Sequence, residues 1–228
     1  SQQPFQRVAH LRLFPLPGGD RAVKEPRRSA LGLLYEVFGD RLFTEKQFQP
    51  WLGAFSDKEL AILSKTFSQK INTPLTSSMG RLFDGIAAIT NLCQIASFEG
   101  QAAMQLEFML DRFATEESYP LLFHNQEIDW RSMLINILDD VTNQVPLGII
   151  SAKFHHSLVN AIVKIARQME VEKIVLTGGC FQNKYLLEQA IEKLRSAGFQ
   201  PYWHRLIPSN DGGIALGQAI AAILETSY

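Results

Sequence analysis

The sequence predicts an α/β fold that is largely helical, with its clearest strand-and-helix wiring near the carboxyl end. Three observations carry this. Residues 173–224 alternate strand, glycine turn, helix, strand and helix; residues 79–113 and 148–169 carry apolar side chains at helical spacing; and no apolar run reaches the about 18–20 residues that a membrane-spanning helix needs. The β-α-β-α order implies a parallel pair of strands joined by a helical crossover.

Each element follows from a local signal. Residues 5–14 alternate loosely, with Val8, Leu11, Leu13 and Phe14 apolar, and are expected to form a strand stopped by Pro15, Pro17, Gly18 and Gly19. Asp20 is expected to cap a helix reaching Phe38, in which Pro26 either sits in the first turns or restarts the helix. Short helices follow, chiefly 56–67, where Ser56 and Glu59 have capping-box spacing. Ser77 and Ser78 offer a hydroxyl cap to a helix with Met79, Leu82, Phe83, Ile86 and Ile89 on its face, and another helix from Gly100 presents Ala103, Leu106, Leu110 and Phe113. Residues 114–129 read as loop or edge strand and 130–141 as a short helix. The longest helix, 148–169, carries the stripe Phe154, Leu158, Ile162, Ile165 and Met169. The strand 173–176 meets Thr177-Gly178-Gly179, a helix over 181–197 closes on Gly198 with Phe199 behind it, 200–205 is a second strand, and 212–224 is a final helix entered through Ser209-Asn210-Asp211.

Composition narrows the class. The chain has 228 residues, 46% hydrophobic and 20% charged, with formal net charge −1, which suits one large domain or two small lobes with a real core. The first residues lack the charged and apolar regions of a signal peptide, so a cytoplasmic protein is expected. Cys93 and Cys180 alone support neither a disulfide framework nor a cysteine zinc site, and near-zero net charge argues against a general nucleic-acid binder. Charge is uneven, however. Residues 1–28 hold Arg7, Arg12, Arg21, Lys24, Arg27 and Arg28 against Asp20 and Glu25, whereas 99–140 hold nine carboxylates against Arg112 and Arg131. Two differently solvated faces explain this, as does a basic segment that meets an anion or another domain.

Four helix starts carry glycine. Gly178-Gly179 lets a ligand approach free N–H groups, or simply makes a tight turn; Asn183 behind it donates to a ribose or phosphate oxygen, or faces water. Asp211-Gly212-Gly213 repeats the device, with Asp211 either the N-cap or a ligand for Mg²⁺ or Fe²⁺, and Gly213 and Gly217 suited to close helix packing. Ser77-Ser78-Met79-Gly80-Arg81 with Asp84 one turn on, and Ser97-Phe98-Glu99-Gly100, complete the set. Cys180 sits where a helix start lowers a thiol pKa, with no base evident beside it. His155 and His156 point about 100° apart, so they cannot chelate one ion together; His156 is expected to meet solvent and His155 the edge of the apolar stripe. Together the starts point to an anion or nucleotide crevice.

Five blocks in order then resemble one family: Leu13-Phe14-Pro15-Leu16-Pro17-Gly18-Gly19-Asp20, Ser77 to Asp84, Ser97 to Met104, Thr177-Gly178-Gly179-Cys180-Phe181-Gln182-Asn183, and Asn210 to Gln218. They are similar to the carboxyl-terminal, TsaD-like domain of the hydrogenase maturation carbamoyltransferase HypF, within the actin-like ATPase (ASKHA) superfamily. The resemblance implies residues 1–147 as a basic amino-terminal segment with a helical part, and 148–228 as a nucleotide-binding lobe. It implies transfer of a carbamoyl group from carbamoyl adenylate, made from carbamoyl phosphate and ATP, to the carboxyl-terminal cysteine of a HypE-like acceptor. Asp211 would ligate the metal, Mg or Fe; Gly178, Gly179, Asn183 and Gly212 would hold the nucleotide; Ser78, Gly80, Asp84 and Glu99 would line the same cleft; and Arg81 would stabilise developing charge.

The family's zinc fingers, acylphosphatase-like region, adenylation domain, paired histidines and phosphate loop have no counterpart in these residues, and Leu13 replaces a usual proline. The expectation is therefore a partial domain, weakly active or inactive by itself, without zinc, whose exposed apolar faces drive dimerisation. The competing readings are a non-catalytic fragment that docks the acceptor, and a TsaD-like threonylcarbamoyl or O-carbamoyl transferase.

Overall fold

The computed structural model describes residues 6–112 and 115–226, and the chain divides into two compact units, Ser1–Phe154 and His155–Tyr228. In the first, β1 (His10–Leu11) pairs in parallel with β5 (Glu127–Asp129), which also forms a hairpin with β4 (Leu122–His124), so the order is β1-β5-β4. A second small sheet joins β2 (Phe14–Pro15) antiparallel to β3 (Leu75–Thr76). Trp130 locks the two strands' neighbourhood: its indole N–H donates to the Arg12 carbonyl at 2.8 Å, and its ring meets Phe14 edge-on at 5.7 Å.

Helices build the rest of this unit. They are α1 (Arg21–Lys24), α2 (Pro26–Phe38), α3 (Arg41–Thr44), α4 (Gln49–Leu52), α5 (Asp57–Ser68), α6 (Met79–Ile89), α7 (Gln101–Phe108), α8 (Arg131–Thr142) and the start of α9 (Leu147–Met169). The main packing is α2 on α6. A methyl group at Gly85 of α6 would come 2.3 Å from Leu33 and 3.3 Å from the Ala30 backbone, and one at Gly32 would come 1.9 Å from the Pro15 carbonyl oxygen. Gly85 lets α6 lie against the backbone of α2, and Gly32 lets α2 lie against the backbone of β2. Leu31, Leu33, Leu34, Leu82, Phe83 and Ile86 close the core around them.

In the second unit, β6 (Lys173–Leu176) pairs in parallel with β7 (Gln200–Trp203), from Lys173 opposite Gln200 to Leu176 opposite Trp203, and α10 (Lys184–Ser196) is the crossover. α11 (Ile214–Thr226) ends the chain's regular structure. The parallel pair, the crossover and the Gly198 stop all agree with the sequence. Gly198 has φ +89°, and the Phe199 N–H reaches back to the Leu194 carbonyl at 2.9 Å.

Several expectations need correction. The strand over 5–14 is two dipeptide strands, and Pro15 lies inside one of them, because only short stretches find partners. Pro26 does restart a helix, and Asp20 gives no side-chain cap. In 114–129 the outer strand is β4, whereas β5 is central, a parallel pairing with β1 that local pattern could not show. Ala102 rather than Ala103 is buried beside Leu106 and Leu110; Phe113 lies outside the described residues. On α9, Val159, Val163 and Ala166 are buried and Met169 is 39% exposed, so the stripe drifts toward the helix's other edge. The last two helices are each preceded by a 3₁₀ turn, Gly179–Gln182 and Asp211–Gly213.

Candidate functional site

Two glycine turns meet in the second unit. The Gly178 N–H donates to the Ser209 carbonyl at 2.8 Å, tying the turn after β6 to the loop after β7, at the carboxyl ends of two parallel strands. Gly178 has φ +104°, a left-handed conformation that side chains strain to adopt. The turn Gly179–Gln182 is closed by Phe181 N–H to the Gly178 carbonyl at 3.0 Å and Asn183 N–H to the Cys180 carbonyl at 3.2 Å. Asn183 then caps α10, its Oδ1 accepting from the Leu186 N–H at 2.8 Å. A methyl group on Gly179 would come only to 3.9 Å from the Asn210 side chain, which sets the second turn beside the first.

In that second turn the cap is Asn210, not Asp211: Asn210 Oδ1 accepts from the Gly212 N–H at 3.1 Å. Asn210 is as good a capping residue as Asp211, and its position one residue earlier was the signal available. The Asp211 carboxylate is exposed. Gly213 packs against its own loop, since a methyl group there would come 2.8 Å from the Pro208 carbonyl, while Gly217 has open space. Among the described residues no three His, Cys, Asp or Glu side chains converge as a metal site. A single exposed carboxylate does not fit a metal by itself, so no step here runs through one.

In the first unit, Ser78 caps α6, its hydroxyl accepting from the Arg81 N–H at 3.3 Å. Arg81 Nη1 and Asp84 Oδ2 approach to 2.8 Å as an ion pair, yet both atoms are buried without a hydrogen bond, so charge alone holds them. Burial pushes the Asp84 carboxyl up to about 6; Arg81 draws it down and the Glu99 charge raises it. Glu99, exposed ahead of α7, is therefore a neighbour of the pair, and Gly80 has room for a methyl group. The structure thus brings Ser78, Gly80, Arg81, Asp84 and Glu99 together in one unit, and Gly178, Gly179, Asn183, Asp211 and Gly212 together in the other.

Two other sequence readings change. The basic amino-terminal segment is largely neutralised from within. Arg12 pairs with Glu36 and Glu127 at 2.9 Å each, and buried Glu25 receives Arg21, Arg27 and Arg28. Burial pushes the Glu25 carboxyl up, and the three guanidiniums outweigh that and hold it below its ordinary value. His156 does not meet solvent: both histidines are buried, His156 within 2.8 Å of the Tyr185 hydroxyl and His155 within 2.9 Å of Asn183.

The family profile described as "Carbamoyltransferase, Kae1-like Domain, second subdomain" matches residues 1–218. The chain belongs to this family. It is 43% identical to carbamoyltransferase HypF of Synechocystis sp., over all of this chain and 31% of that protein. A HypF homolog of Cupriavidus necator is 29% identical over 97% of the chain and 58% of its own length. Among solved structures, full-length HypF in a phosphate- and nucleotide-bound form is 40% identical, with TM-score 0.86 over 96% of this chain and 35% of that one. HypF of T. kodakarensis follows at 25% identity and TM-score 0.83, over 97% and 30%. The chain spans about a third of the length of most HypF relatives named here. These likenesses agree with the α/β, mostly helical, TsaD-like fold expected from the HypF resemblance, and every candidate residue from Ser78 to Gly212 lies inside the matched span.

Proposed function

We propose that the chain holds an adenine nucleotide and takes part in carbamoyl transfer within hydrogenase maturation. On this reading residues 148–228 are the nucleotide lobe and 1–147 the basic segment and helical part. The observation that carries it is the Gly178 to Ser209 bond, which sets two glycine turns side by side at the ends of parallel strands in a HypF-family chain. Gly179 opens the first turn with no side chain over its backbone, the arrangement that lets a phosphate approach the start of a helix. Membership beside a nucleotide-bound HypF supports the ligand class.

The chemistry proposed is acyl transfer. A cysteine thiolate of a HypE-like acceptor attacks the carbamoyl carbon of carbamoyl adenylate, the carbon–sulfur bond forms, and the bond to phosphate breaks with the electron pair leaving on AMP. Gly179 orients a phosphate oxygen through its backbone N–H, Gly178 and Gly212, whose own N–H groups are held by Ser209 and Asn210, shape the two turns beside it, and Asn183 fixes the first of them. In the first unit, Arg81, paired with Asp84 and with Ser78, Gly80 and Glu99 near it, is a further candidate for stabilising negative charge. No helix of the described residues is long and apolar enough to cross a membrane.

A chimera tests this, with the chain replacing the matching 31% of Synechocystis HypF. Carbamoylation of the acceptor thiol is expected, and Gly179→Ala, which the fold accommodates, should lower kcat/KM by about a hundredfold through displaced phosphate. Full activity in this variant would refute the site.

A further inference from the structure

The glycine turn after β6 is fixed by a residue far from it in sequence. The Asn183 carboxamide has no freedom of orientation: its oxygen accepts the Leu186 N–H at 2.8 Å, a bond its nitrogen cannot make, so the nitrogen is the atom turned to His155, at 2.9 Å. An amide nitrogen only donates. His155 Nε2 must therefore accept, and a neutral imidazole that accepts at Nε2 carries its proton on Nδ1. His155 is 0% exposed and Asn183 7%, so water does not compete for either group. Tyr185, one residue into α10 from its first position, packs edge-on to the same ring at 5.6 Å and holds its plane.

Asn183 is a joint as well as a cap. Its side chain starts α10, and its own N–H closes the Gly179–Gln182 turn on the Cys180 carbonyl at 3.2 Å. We propose that His155, in its Nδ1-protonated form, is the positioning residue for the Gly178–Gln182 turn, acting through the Asn183 carboxamide. Its effect on nucleotide binding rests on the function proposed above; the tautomer and the turn's rigidity do not. The ring touches no ligand. A proton on Nε2 would set donor against donor and release the Asn183 amide from one of its two anchors.

Nitrogen-detected NMR of the whole chain at neutral pH, without nucleotide, reads the tautomer directly. A pyridine-type Nε2 on His155 is expected; a pyrrole-type Nε2 overturns the proposal. His155→Phe removes the acceptor, and His155→Gln restores one. Hydrogen exchange at Leu186 and Asn183 should quicken about tenfold in His155→Phe, the loss of roughly one buried hydrogen bond. In His155→Gln it should stay within about threefold of the parent, because the acceptor is restored. Equal exchange in parent and His155→Phe, or equal loss in both variants, overturns the positioning role. ATP affinity of the same proteins is read separately. If exchange follows the prediction and ATP binds none of them, the nucleotide reading fails while the positioning of the turn stands.

Discussion

Asp84 is a carboxyl carried into the apolar side of α6, one turn beyond Arg81, and only 5% of it is exposed. Burial raises it from 3.8 to about 6 despite the guanidinium. Because the folded value lies above the unfolded one, the protonated acid favours the fold: that contribution is fully present below about pH 4 and is lost as pH rises through about 6. Asparagine copies the protonated form. Relative to Asp84→Asn, the parent should lose about 2–3 kcal/mol of stability between about pH 4 and pH 7, read as urea midpoints at each pH. Parallel stability curves would show that Asp84 is already ionised and solvated in the folded chain. The sequence could place Arg81 and Asp84 one turn apart, but spacing carries no information on how deeply a helix face is buried. The same gap hid His155 as the partner of Asn183, a contact that only the folded chain makes.

At the scale of elements, local signals were legible wherever a side chain answers its own backbone. Ser56 and Glu59 form the full capping box, Ser78 caps α6, and Gly198 stops α10, all from residues within five positions of one another. The parallel β6–β7 pair followed from chain order. By contrast, β1 against β5 joins residues more than a hundred positions apart, and two-residue strands leave no periodicity to read. The contacts of α2 with β2 and α6 were equally hidden: Gly32 and Gly85 look like helix-weakening glycines until the structure shows the Pro15 carbonyl and Leu33 occupying the space of a side chain. Gly32→Ala should therefore destabilise the chain by about 3 kcal/mol instead of strengthening α2, because the obstruction is backbone and cannot rotate away. Thermal or urea unfolding checks this, and a stabilised variant would mean that α2 shifts freely along β2.

For the molecule as a whole, both units keep large apolar side chains at the surface, Ile62, Leu75 and Phe108 among them in the first. The first hides a large core centred on α2 and α6, and it neutralises most of its arginines internally. The second leaves Val175, Leu206, Ile214, Ile220 and Ile223 at least half exposed, along β6, the loop after β7 and α11. The family profile covers residues 1–218, and the five short blocks that carry the resemblance in the sequence coincide with turns and caps, the places where backbone geometry restricts residue choice most tightly. At Gly178, Gly179 and Gly212 those turns carry backbone and no side chain, so they leave room for a ligand. The most direct test is therefore whether the turns bind nucleotide, followed by backbone amide shifts of the labelled chain during titration with millimolar ATP. Perturbation centred on Gly178, Gly179, Cys180 and Gly212, weakened by Gly179→Ala, is the predicted result. Saturable shifts confined to other residues, or shifts unchanged by Gly179→Ala, would contradict the account.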